Sequence, residues 1–253
     1  MEILVCCKPI LEMQSEIDLN KDIIMNPNDL AAIEAALRFR GNNRICMISL
    51  ARNESENILK GYFSLGIDNI VLLCDQVFSG SDTYATSFIL SHYIRKFTKY
   101  KLIFCGTRSI DGGTGYISSS IAEHLGIPNI TNVIKVKRID EQYLYCVRKI
   151  ENDILTIKVK LPAVVSIQHD AYQIRLPSIS ELVKSENRKI NVYNAKDLQL
   201  NTKLCGDNGS YTKVMGVKKI RKSRKVKCIK GNIKEQTNSI INELERLIGD
   251  IYG

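Results

Sequence analysis

Several kinds of chemistry are missing from this 253-residue sequence. Its apolar runs, such as Leu161-Pro162-Ala163-Val164-Val165-Ser166-Ile167, fall far short of the roughly 20 residues that span a bilayer, so no membrane insertion is expected. Met1 leads directly into Ile3-Leu4-Val5-Cys6-Cys7 with no basic stretch and no small-residue cleavage site, so no signal peptide is expected either. There are eight cysteines but no C-x-x-C pair, which argues against a zinc ribbon or a disulfide framework. Most of them sit in β-like apolar runs, where a reduced thiol behaves as a small hydrophobe. A soluble, cytoplasmic protein follows. The histidines, His92, His124 and His169, have no metal spacing, and His92 and His124 fall in helical patterns as surface or internally satisfied groups. No cysteine carries the nearby histidine of a nucleophile, and Glu243 and Glu245 lie on a solvated helix. Neither a G-x-G-x-x-G nor a Walker pattern is present, nor any internal repeat. No catalytic side chain and no metal site are expected.

What is present is ordinary globular composition, 44% hydrophobic and 25% charged, in a length that suits one α/β domain with an appendage. The charge is unevenly placed. Of 36 Lys and Arg, ten fall between Tyr211 and Lys234, where there is no acid. That window carries +10 and leaves the rest of the chain at −1. A basic tail suggests an acidic or nucleic-acid surface. The window has one aromatic residue and no recognised reading module, which favours a solvated or partner-facing arm and argues against nucleic-acid binding.

Up to about residue 130, short apolar runs alternate with helical patterns, as in a parallel sheet covered by helices. The expected strands are Glu2–Cys7, Arg44–Leu50, Asn69–Cys74 and Lys101–Cys105. The intervening helices follow a cap at Asn28, run over Ser55–Leu65 to a stop at Gly66, begin after Asp82 and Thr83, and follow Gly112–Gly115. From Asn132 the pattern becomes two-faced and antiparallel over Val133–Lys137, Gln142–Arg148 and Leu155–Lys160. Leu161–Ser166 is one more buried strand, and a loop follows around Arg175–Pro177. Lys184 to Gly209 is polar and irregular, and a last helix spans Ile233–Ile251, with Ile240, Leu244, Leu247 and Ile251 on one stripe. These patterns predict an α/β domain over 1–189, mostly parallel and Rossmann-like with helices on both faces and an antiparallel extension. An extended basic arm over 190–253 completes the chain.

Two loops could carry a ligand. Strand Leu102–Gly106 runs into Thr107-Arg108-Ser109-Ile110-Asp111-Gly112-Gly113-Thr114-Gly115 and then the helix at Tyr116-Ile117-Ser118. Glycines admit a ligand close to the backbone, and a helix N-terminus offers free N–H groups to a phosphate. Gly80-Ser81-Asp82-Thr83-Tyr84-Ala85-Thr86 repeats that logic after another strand. On the residues alone, either loop could also be an ordinary turn and cap. Together at one sheet edge they would form a nucleotide crevice, and without catalytic residues such a site suits a carrier whose chemistry is the cofactor's.

The same residues resemble the β subunits of electron transfer flavoproteins. The likeness runs through Ile3-Leu4-Val5-Cys6-Cys7-Lys8, Asn26-Pro27-Asn28-Asp29, Leu65-Gly66-Ile67-Asp68, Gly80–Ser87, Cys105–Gly115, Ala122–Pro128, Arg148-x-x-Glu151 with Leu161–Ser166, Arg175–Ile179 and Gly209–Val214. The resemblance implies a heterodimer in which an α subunit holds the redox FAD and the arm of this chain wraps that partner. It implies an adenine nucleotide lined by Cys6, Lys8, Asn26, Asp29, Leu50 and the loop Gly106, Arg108, Asp111, Gly112, Gly113, Thr114, Gly115, Tyr116, Ile117 and Ser118. Asp82, Thr83 and Thr86 resemble the bifurcating and anaerobic members, which hold a second FAD exposed to NADH. Simple members hold AMP there, and FAD is favoured over AMP. Electrons would then pass between NADH, an acyl-CoA dehydrogenase and a low-potential acceptor such as ferredoxin or flavodoxin. Arg175, Leu176, Pro177 and Ile179 fall on the family's dehydrogenase-recognition loop. The sequence departs from the family at Arg108, Gly113, Tyr116 and Ile117, which shifts phosphate binding from side chains toward backbone N–H groups; a redox-inactive regulatory module is the alternative.

Overall fold

A computed structural model describes residues 2–12, 22–216 and 228–252. Its frame is a nine-stranded sheet in the order β11-β5-β4-β1-β6-β10-β7-β8-β9. The strands are β1 (Glu2–Cys6), β4 (Arg44–Leu50), β5 (Asn69–Leu73), β6 (Tyr100–Gly106), β7 (Asn129–Ile139), β8 (Tyr143–Ile150), β9 (Asp153–Lys160), β10 (Ala163–Ile167) and β11 (Asn191–Tyr193). A short antiparallel pair, β2 (Pro9–Leu11) and β3 (Ile23–Met25), stands apart from it. From β11 to β7 every neighbouring pair is parallel, while β8 and β9 add antiparallel strands.

A strand buried on both faces reads as an unbroken apolar run, and β1 does so from Ile3 to Cys6. Ile3 and Val5 face a core layer with Ala31, Ala32, Ala35 and Ala36 of α1 (Pro27–Arg38) and Leu59 of α2 (Glu56–Gly61). Leu4 and Cys6 face the opposite layer, with Ile89, Leu90 and Tyr93 of α3 (Thr83–Phe97) and Ile121 of α4 (Ile117–Leu125). Helices therefore cover both faces, as expected. The four alanines of α1 let its axis lie close across β1, β6 and β10. Among the described residues no helix is long and apolar enough to cross a membrane.

α1 starts earlier than the cap expected at Asn28. Pro27 takes the first helical position, where its fixed φ suits the turn and its missing N–H costs nothing. Asn26 becomes the capping residue and Asn28 is buried in the first turn. α3 does begin after Asp82, whose carboxylate accepts the N–H of Ala85 at 3.0 Å. The change of texture near Asn132 marks a bend: β7 runs parallel to β10 over Asn129 and Ile130, then pairs antiparallel with β8 from Val133. Asn132 has φ of 56° and donates its N–H to Ser166 Oγ at 3.2 Å.

The larger correction concerns the stretch expected to be irregular, and with it the boundary at 189/190. α5 (Ile179–Ser185) and β11 lie within that region. β11 extends the sheet beside β5, and Ile190, Ala195, Leu198 and Cys205 are buried in the domain. Asp75 accepts the N–H of Ala195 at 3.0 Å, and His92 Nε2 meets the Leu198 carbonyl at 2.9 Å. Beyond α6 (Gly206–Gly209), Ser210 and Thr212 bond to Asp82. The compact unit thus runs Met1–Lys213, and Val214–Gly253 forms a second. That second unit contains α7 (Ile233–Tyr252), on which Ile240 and Leu244 are exposed. Most of the basic window, 217–227, and the side chains of Leu247 and Ile251 lie outside the described residues.

The boundary can be tested by truncation. A chain ending at Lys213 should unfold in urea cooperatively, with a midpoint close to that of the full chain. Ending at Lys189 strips Ile190, Leu198 and Cys205 from the core and should lower stability by several kcal/mol, at roughly 1.5–3 kcal/mol for each large apolar side chain removed. Equal midpoints for the two truncations would show that 190–213 does not belong to the domain.

Candidate functional site

The crevice lies at the carboxyl ends of the parallel strands. β4 and β5 extend the sheet on one side of β1 and β6 on the other, so the strand order reverses between β1 and β6, where open α/β sheets take their ligands. Lys8 follows β1, Leu50 ends β4, and Gly106 ends β6.

Asp29, in the first turn of α1, holds these ends together. Its buried carboxylate accepts the Lys8 N–H at 2.8 Å and also the Gly106 N–H. Burial pushes its pKa up to about 7, against the pull of those N–H groups and of the Asn26 amide. Gly106 is required by this approach, because a Cβ there would stand 2.2 Å from Asp29 Oδ1 and 2.7 Å from the Asn28 carbonyl oxygen. Asn26 makes no side-chain capping bond to the backbone of its own helix. Its Nδ2 donates to the Arg108 carbonyl at 3.0 Å, and its Oδ1 accepts the Ile110 N–H at 3.4 Å. Asn26 and Asp29 therefore brace the loop and do not project from it.

Past Arg108 the loop is exposed and held by short bonds. Gly112 donates to Asp111 Oδ1 at 2.7 Å, and Gly113 donates to the Ser109 carbonyl at 2.8 Å. Lys8 Nζ reaches Asp111 Oδ2 at 2.7 Å, a pair too exposed to add much stability. Burial works against the Asp111 carboxylate, yet the Lys8 and Ser109 bonds hold it below its ordinary range. Gly115 has φ of 72°, and a Cβ there would press on the Thr107 carbonyl at 3.2 Å. α4 then starts without a side-chain cap. Ser118 in its first turn is 2% exposed, and its hydroxyl has no partner. Thr83 Oγ1 donates to Thr114 Oγ1 at 3.1 Å, which joins the two loops expected to share a site. Thr86 lies one turn along α3.

An uncapped helix start, an unpartnered buried hydroxyl and a glycine-bent loop fit an anionic group, with first-turn N–H groups and Ser118 as donors. The exposed Lys8 and Arg108 add positive charge nearby. Other residues do different work. The Asp82 carboxylate is occupied by Ala85, by the Thr212 N–H and by the Thr212 hydroxyl. Cys6 is buried against Cys105; the hydrogen bond between these thiols and then burial raise its pKa well above the ordinary value, so it stays protonated. Leu50 is half-buried, and Tyr116 and Ile117 lie at the start of α4 with Tyr116 exposed. A hollow of about 220 Å³ lined by Arg40, Phe63, Asp68, Lys184 and Arg188 lies elsewhere. Its guanidinium groups are used internally, by Asp68 for Arg40 and by the Ile67 carbonyl for Arg188. Among the described residues no cluster of His, Cys, Asp or Glu could hold a metal.

The second candidate surface is the loop before α5. Leu176 is 91% exposed and Ile179 81%. Arg175 turns inward instead, onto Glu34 of α1. Sequence reasoning missed Glu34, although an acid within Ala31-Ala32-Ile33-Glu34-Ala35-Ala36-Leu37 is a visible anomaly on a helix that packs against a sheet.

Two outcomes follow. Gly106→Ala should destabilise the domain by roughly 3 kcal/mol, the upper end for overpacking, read from the urea midpoint. Because the folded pKa of Asp29 lies above its free value of 3.8, its contribution to stability is complete below that value and falls as pH rises through about 7. Asp29→Asn carries no such proton. The melting temperature of the native chain relative to this variant should be higher at pH 5.5 than at pH 8, and a pH-independent difference would contradict the buried carboxyl.

Comparison with known proteins agrees with this geometry. Residues 17–198 match the electron transfer flavoprotein domain. The electron transfer flavoprotein subunit beta of Thermoanaerobacterium thermosaccharolyticum is 35% identical over 224 residues, covering 87% of this chain and 85% of that one. The caffeyl-CoA reductase-Etf complex subunit CarD of Acetobacterium woodii is 30% identical over 85% of this chain and 86% of its own. The acryloyl-CoA reductase electron transfer subunit gamma of Anaerotignum propionicum is 29% identical over 79% of each. With the parallel sheet, the braced glycine loop and this extent of likeness, the chain belongs to the electron transfer flavoprotein family, among its β subunits.

Proposed function

We propose that this chain is the β half of a heterodimer that carries electrons between NADH and an acyl-CoA dehydrogenase-type partner, with an adenine nucleotide in the β1–β6 crevice. Family membership supports an electron-transfer role beside an α-type subunit; the nucleotide, the partner and bifurcation are our reading. The observation that carries it is the unpartnered Ser118 hydroxyl at the open start of α4, beside the Thr83–Thr114 bridge. We assign FAD to this site over AMP. Ser118, the first-turn N–H groups of α4 and the Gly112–Gly115 backbone would hold its phosphates. Lys8 and Arg108 would offset their charge. When bound, a flavin supplies hydride acceptance and one-electron transfer, which this chain's own side chains do not provide.

The partner class draws on two relatives whose names place them with caffeyl-CoA and acryloyl-CoA reductases. Leu176 and Ile179, both largely exposed in this chain, would enter that partner. The Val214–Gly253 unit, with Ile240 and Leu244 exposed on α7, would grip the α subunit. A low-potential acceptor, ferredoxin or flavodoxin, would take the second electron.

The test is nucleotide content. The heterodimer, coexpressed with its α subunit and denatured in acid, should release two FAD and no stoichiometric AMP. One FAD with one AMP would replace the bifurcating reading by that of a simple carrier. Ser118→Ala should lower occupancy of the β site while the α flavin stays at one equivalent.

A further inference from the structure

The segment between β10 and α5 has no regular structure from Gln168 to Ser178, yet it is tied down at defined points. Glu34 of α1 is 3% exposed, on a helix whose alanines are buried against the sheet. Its carboxylate accepts Arg175 Nε at 2.9 Å, Arg175 Nη2 at 3.0 Å and the Arg175 backbone N–H at 3.2 Å. Arg38 Nε adds a fourth bond at 2.9 Å. The Arg38 guanidinium also lies 5.1 Å over the Tyr172 ring, whose hydroxyl accepts the Val136 N–H at 2.7 Å. Both anchors of the segment therefore converge on α1.

Immediately beyond Arg175 stand Leu176 and Ile179, the two most exposed apolar side chains of this region. Ser178 between them caps α5, accepting the Glu181 N–H at 3.3 Å, while Glu181 Oε2 accepts the Ser178 N–H at 3.3 Å. The apolar pair is thus fixed on one side by the Arg175 fork and on the other by a capped helix. A planar guanidinium held bidentately defines orientation as well as distance. A buried acid on an alanine-rich face is a poor device for stability alone, since an apolar side chain would avoid the cost of desolvating the charge.

We propose that Glu34 is a positioning residue for partner docking: through Arg175 it sets where Leu176 and Ile179 stand, so that the dehydrogenase meets a preorganised apolar pair. The inference rests on the reading of this loop as the docking element. Preorganisation reduces the ordering cost of association, so its loss appears in the concentration of heterodimer needed and not in the rate at saturation.

The experiment uses the αβ heterodimer with a butyryl-CoA dehydrogenase as the probe partner. Glu34→Gln keeps the shape but removes one acceptor oxygen, and Arg175→Gln opens the same fork from its exposed side. Each should raise KM for the heterodimer on the order of tenfold, with kcat within about twofold. The double variant should be no worse than either single one, because the two residues act as a unit. Hydrogen exchange of the amides over 176–185 should quicken, while nucleotide content stays unchanged. If Glu34→Gln instead lowers kcat, nucleotide content and melting temperature together, Glu34 is merely structural and the proposal fails. A control separates the two levels of the argument. If Leu176→Ala with Ile179→Ala leaves KM unchanged, the docking reading is wrong. If that pair raises KM while Glu34→Gln and Arg175→Gln do not, docking stands and the positioning role is overturned.

Discussion

The arrangement of this molecule depends on the contact between a buried carboxylate and a glycine. Asp29 reaches from the first turn of α1 to the N–H groups that end β1 and β6, and Gly106 lets it come that close. The carboxylate gathers polar backbone groups that would otherwise be buried without partners. It also sets the distance between the helix and the two central strands. Asn26, three residues earlier, extends the same bracing to the Arg108 carbonyl and the Ile110 N–H. The glycine loop is exposed over most of its length, but its root is not free to move. The crevice is a surface feature carried on a rigid base, which is how an open loop can still present donors in a fixed pattern.

Much of this architecture was legible in the sequence because the signals were local. Strands buried on both faces read as unbroken apolar runs, and β4 spans Arg44–Leu50 as the sequence predicts. The glycine loop and the Asp82 cap announce themselves by residue type alone. The missed features are those that depend on distant residues. β11 is a three-residue edge strand, Asn191–Tyr193, with no alternation to mark it, and it is a strand only because β5 offers it a free edge. The segment that follows looks irregular and polar, yet Ala195, Leu198 and Cys205 within it are buried. Asn26 and Asp29 look like ligand contacts in a motif, and the structure employs them as internal braces. Arg175 looks like part of a docking surface; its partner Glu34 is 141 residues away in the chain, a separation no local pattern reveals.

α1 thereby serves two places at once. Its first turn fixes the strand ends at the crevice, and its third turn holds the segment that presents Leu176 and Ile179. An α-helix of 12 residues is about 18 Å long, stiff over that length, and here it is pressed onto three strands by alanines. The glycine loop and the exposed apolar pair are consequently referenced to one rigid helix.

Asp82 has a comparable double attachment, with a different result. One oxygen caps α3, and the other accepts the N–H and hydroxyl of Thr212, so the last residues of the compact unit are moored beside the threonine that bridges the two loops. The compact unit ends one residue beyond that mooring, at Lys213. Fraying of the end of the compact unit must therefore break bonds at the cap of α3 as well, which ties the order of its last residues to that of the helix start.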